Sequence, residues 1–68
     1  MQEATRITIA LIPKAAAGLA SLQDRTGLSR TDLVNRAISL YEFIDAQLRE
    51  GADILVRRGD ETQRVHFL

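Results

Sequence analysis

Thr5-Arg6-Ile7-Thr8-Ile9-Ala10-Leu11-Ile12-Pro13 is the stretch that decides how this chain folds. Its residues alternate. Ile7, Ile9 and Leu11 fall on one side, and Arg6, Thr8 and Ala10 on the other. A period of two with β-branched side chains predicts a half-buried strand. Ile12-Pro13 ends it, because the residue before a proline is pushed to extended geometry and proline suits a first helical turn. No other strand signal occurs in residues 1–50, and an isolated strand with unpaired backbone groups is not stable. Pairing with the C-terminal tail is one remedy. The simpler one is a second copy: two such strands, antiparallel about a two-fold axis, make every ladder bond twice. Ile7, Ile9 and Leu11 of both chains would then lie over a four-helix core. Arg6, Thr8 and Ala10 would face solvent on a two-stranded ribbon, a shape that the DNA major groove admits.

Length supports the same remedy. A chain of 68 residues is one small domain that buries too little of its own surface to be comfortably stable. Disulfides, a metal or oligomerisation usually supply the difference. The chain has no cysteine and one histidine, His66, so oligomerisation is the expected route and no cofactor is expected. Hydrophobic residues make up 46% of the chain, too many for compositional disorder. No apolar run approaches the roughly 18 residues of a membrane span, and no signal peptide is read at the start. A cytoplasmic protein is expected. Nine basic and nine acidic residues cancel, so nucleic-acid binding would depend on where the charges sit rather than on their sum.

Two helices come after the strand. The first is expected from Pro13 to about Thr26, through the strong helix formers Lys14-Ala15-Ala16-Ala17, with Gly27 as its left-handed stop. The second opens with Ser29 as N-cap and Asp32 at the third helical position, a variant of the capping box, flanked by Leu28 and Leu33 as a hydrophobic staple. Leu33, Ala37, Tyr41, Ile44 and Leu48 then recur at three- or four-residue intervals, and Val34 and Ile38 widen the stripe. Fraying is expected near Glu50-Gly51. Beyond it, residues 53–57 and 63–68 suit two strands joined by a turn over Arg58-Gly59-Asp60-Glu61. The chain is therefore divided into residues 1–50 and a C-terminal β-hairpin extension, residues 51–68.

Arg6-Ile7-Thr8-Ile9-Ala10-Leu11, then Pro13, then Thr26-Gly27-Leu28-Ser29-Arg30-Thr31-Asp32-Leu33-Val34-Asn35-Arg36-Ala37-Ile38 resembles the ribbon-helix-helix (MetJ/Arc) superfamily over roughly residues 4–48. The resemblance lies in order and spacing, with no single unique motif. It implies a mainly helical fold with short β: an intertwined homodimer with an intermolecular antiparallel ribbon, its core formed by Ile7, Ile9, Leu11, Leu33, Ala37, Ile38, Tyr41 and Ile44. It also implies that bases are read by Arg6, Thr8 and Ala10. Arginine can donate two hydrogen bonds to guanine, and threonine can bond a base edge or touch a thymine methyl. Ala10 departs from the usual polar pattern and offers only an apolar contact. A backbone phosphate would sit at the second helix N-terminus, on Ser29, Arg30 and Thr31, where amides and the helix dipole favour an anion; Asp32 opposes it. Lys14 is a further phosphate candidate.

The function expected is sequence-specific DNA binding by a regulator, a repressor that occludes a promoter on double-stranded DNA in the nucleoid, with dimers able to assemble further. The alternative is an antitoxin whose tail engages a toxin. For residues 53–68 two roles are expected: extending the core, or recruiting another dimer or a protein partner by strand addition. There is no paired carboxylate cluster, no serine or cysteine nucleophile with a nearby histidine and no Gly-rich phosphate loop, so no enzyme activity is expected. Arg58-Gly59-Asp60 spells an adhesion tripeptide, which at three letters is a chance match inside a turn.

Overall fold

A computed structural model describes residues 3–67. The element order is α1 (Pro13–Thr26), α2 (Arg30–Arg49), β1 (Ile54–Arg58) and β2 (Glu61–Val65). It is mainly helical with short β. Two compact units divide between Leu33 and Val34.

In the first unit, residues 3–12 belong to no helix or strand. The strand expected over residues 5–11 is thus not formed within the chain. Strand identity requires a ladder partner, and the one sheet among the described residues has only β1 and β2 in it. Ile12 is extended (φ −67°, ψ 156°), and Pro13 opens α1. Ile12 O accepts the first helical bond, from Ala16 N–H at 2.9 Å. At the other end Gly27 is left-handed (φ 71°), and its N–H donates to Gln23 O at 2.9 Å. That single bond closes the helix without the strain a Cβ would bring at positive φ. Leu33 is the buried hydrophobic of the described chain, at 9% exposure. Leu19, Gln23 and Leu28 are half-buried.

In the second unit, α2 ends in a Schellman motif. Ala52 N–H donates to Gln47 O at 3.0 Å and Gly51 N–H to Leu48 O at 3.0 Å, with Gly51 at φ 88°. This places the helix end where sequence fraying was expected. The hairpin after it is antiparallel, with Ile54 opposite Val65 and Arg58 opposite Glu61. Its loop is two residues, Gly59-Asp60, shorter than the four-residue turn expected from the sequence. Gly59 has φ 58° and among the described residues no non-glycine residue has positive φ, the pattern of a type II′ turn, whose twist matches the strands. Arg58 and Glu61 close the ladder as an opposite-charge cross-strand pair. β2 stops at Val65, short of the expected Leu68, which lies outside the described residues.

Ile54 and Val65 are half-buried on one hairpin face. Phe67 meets Tyr41 of α2 edge-on, ring centroids 6.2 Å apart at 70°. Edge-to-face geometry is favourable for aromatic pairs, and it ties the chain after β2 back to the helix. Asp53 accepts from Arg64 Nε at 3.0 Å and also from Arg64 Nη2. This ion pair clasps the open end of the hairpin.

Candidate nucleic-acid interface

Arg6, Thr8 and Ala10 are exposed, as the alternation requires of one side. The opposite side is exposed too: Ile7 at 65%, Ile9 at 54%, with Leu11 also open. Full burial of a residue such as Ile7 or Ile9 is worth about 1.5–3 kcal/mol, and the single chain leaves more than half of that unrealised. Arg6 makes no ion pair among the described residues. Residues 4–23 carry Arg6 and Lys14 and no acid. This local excess of positive charge inside a neutral chain is a signal that whole-chain counting hides. Lys14 sits exposed in the first turn of α1, one residue after Pro13.

The turn between the helices holds Ser29, Arg30 and Thr31 in a defined place. Thr26 Oγ1 donates to Leu22 O at 2.6 Å and accepts from Leu28 N–H at 3.2 Å. Sequence reading passed over this double role; a threonine immediately before a left-handed glycine is the signal that could have found it. Ser29 Oγ then accepts from Asp32 N–H at 3.1 Å, and Ser29 O accepts from Leu33 N–H at 3.0 Å. Ser29 is therefore the N-cap. The reciprocal half of the capping box is not made among the described residues, because the Asp32 carboxylate does not return to the Ser29 amide. Aspartate is one methylene shorter than the glutamate that normally spans this gap. Its charge stays in the first turn, favourable to the helix dipole and unfavourable to an added anion. Arg30 and Thr31 occupy the first two helical positions.

The proposed core positions divide. Leu33 is buried and Ile44 half-buried, while Ala37, Ile38 and Tyr41 are exposed. Ala37, Ile38 and Tyr41, with Glu42 and Asp45, line a shallow open depression along α2. Asp45 is tied to Arg49 at 3.0 Å, one helical turn on. Among the described residues no three His, Cys, Asp or Glu side chains gather as metal ligands, and no helix is long and apolar enough to cross a membrane. No family model matches the chain, and neither a curated protein nor a solved structure was found to be similar to it.

Proposed function

We propose that the protein is a ribbon-helix-helix-type DNA-binding regulator, a repressor acting as a homodimer on double-stranded DNA in the bacterial cytoplasm. The observation that carries this reading is the N-terminal segment. An alternating stretch with Ile7 and Ile9 more than half exposed precedes two capped helices, and the fold offers it no ladder. A second copy supplies both the missing hydrogen bonds and the missing apolar cover. The opposite side then presents Arg6, Thr8 and Ala10 from each chain to the major groove. Phosphate contacts at Ser29, Arg30 and Thr31, and at Lys14, set position and affinity, while the strand supplies sequence preference.

Selection of bound sites from a random pool of duplex DNA tests this directly. Expected is a short inverted or repeated half-site, with binding that weakens steeply as salt rises. No enrichment over the starting pool, or a folded monomer in sedimentation at micromolar concentration, overturns it. The antitoxin alternative gains no specific support: its tail would be open to a toxin, whereas residues 54–65 pair with each other and Phe67 packs on Tyr41.

A further inference from the structure

We infer that the outer edge of β1 is a docking edge for the same edge of a second copy of this chain. A two-residue loop makes Arg58 and Glu61 the hydrogen-bonded pair beside the turn, and bonded pairs alternate along an antiparallel ladder. Ile54, Val56 and Arg58 therefore spend their backbone groups on β2. Leu55 and Arg57, and Asp53 just before the strand, turn theirs outward. Among the described residues no third strand covers that edge. It has neither proline nor bulge to blunt it, its charges Arg57 and Arg58 standing only at the turn end, and Leu55 is 58% exposed and Val56 47%.

The residue order identifies the occupant. Asp53-Ile54-Leu55-Val56-Arg57 is complementary to itself when read antiparallel about Leu55. Leu55 then faces the second copy's Leu55, Ile54 faces the second copy's Val56, and Asp53 faces the second copy's Arg57, each of the last two twice by symmetry. All the outward-facing backbone groups of residues 53–57 become bonded pairs. Arg57 is available for this, since it makes no ion pair among the described residues and has Thr62 opposite it in its own hairpin. Asp53 is also available, because Arg64 donates only to its Oδ1. Slipping one strand by two residues sets Leu55 against the second copy's Arg57 or its Asp53, and slipping it by four moves the centre to Arg57 or Asp53. Centring on Arg57 sets two arginines face to face, and centring on Asp53 sets two aspartates together, which is destabilising. The edge of β2 has no comparable order: read about Gln63, it sets Thr62 against Arg64. Pairing β1 edges produces a four-stranded sheet in the order β2-β1-β1-β2. That lifts an isolated hairpin, marginal in water, above the three strands needed for stability. Only residues 53–65 take part, so the pairing is independent of DNA binding and of the N-terminal ribbon.

The test uses the full chain with Leu55→Cys, the sole cysteine in a sequence that has none. A short bis-maleimide is added at micromolar protein, and the cross-linked dimer is read on a denaturing gel. Efficient cross-linking is expected for this parent and for Arg57→Lys in its background. Arg57→Asp sets acid against acid at both ends and should lower the cross-linked fraction roughly tenfold. Asp53→Arg sets base against base and should do the same. Mixed together, these two variants complement each other, and cross-linking should return as the mixed pair. A parent that does not cross-link, or an Arg57→Asp variant that cross-links as well as Arg57→Lys, overturns the inference. Both Arg57 variants keep the Asp53–Arg64 bond, so their comparison decides the matter even where Asp53→Arg loosens the hairpin.

Discussion

Residues 5–11 and residues 54–65 both carry strand-type sequence, yet only the second forms a sheet in the single chain. The difference lies in the residues immediately after each first strand. Arg58 is succeeded by Gly59-Asp60, a loop that turns the chain straight back so that Glu61–Val65 becomes its neighbour. Leu11 is succeeded by Ile12-Pro13, which commits the chain to a helix. Alternation says that a segment wants a ladder. The residues after it say whether the ladder can come from the same molecule. A strand that ends in a helix start has no immediate neighbour in sequence to pair with, and that is the physical reason for the proposal that the N-terminal segment contributes to a dimer.

Substitutions in the two regions should therefore behave differently. Ile9→Asp has the largest expected effect. On the dimer reading it buries an unpaired charge twice in one interface, and a loss above about 4 kcal/mol is expected. Sedimentation should report monomer and circular dichroism a large loss of helix; an unchanged dimer would break the comparison. Arg6→Ala lies on the other side of the same segment. It should leave folding alone and cost roughly 1–3 kcal/mol on a selected DNA site, with relaxed base preference, measured by gel shift. Gly59→Val attacks the self-closed region. A β-branched residue at φ 58° should cost about 1–2 kcal/mol, seen as a lower melting temperature with the DNA site preference intact. Ser29→Ala removes the cap bond to Asp32 N–H and should cost about 1 kcal/mol in denaturant unfolding. Asp45→Ala breaks an exposed helical ion pair and should shift stability by only about 0.3 kcal/mol. A large effect there would mean that Asp45 has a further partner in the assembly.

Much of the layout was legible because it is local. Pro13, Gly27 and Ser29 mark helix ends through their own backbone and side-chain chemistry, and the structure uses each at the expected place. The hairpin was legible as a type but not in its details. Arg58 and Glu61 look like turn residues by charge, yet opposite charges facing one another make a good closing pair. The strands therefore run closer to the turn than polarity suggested. The Asp53–Arg64 clasp was not legible, since it depends on a register that only the true loop length determines. The capping box was half legible: serine does its part, and aspartate is too short for the other. For the candidate interface, alternation predicted which side chains share a side of the segment. It could not say what covers the opposite side, which on the proposed reading is a second molecule.

The corner between α1 and α2 is held by bonds among near neighbours in sequence: Gly27 N–H to Gln23 O, Leu28 N–H to Thr26 Oγ1, and Asp32 N–H to Ser29 Oγ. Contacts of such short span close small loops and form fast. Each chain can thus prepare its bend alone. If the N-terminal segments complete each other as proposed, the slow event in refolding is an encounter. The initial refolding rate should then rise with protein concentration, while the unfolding rate stays indifferent to it.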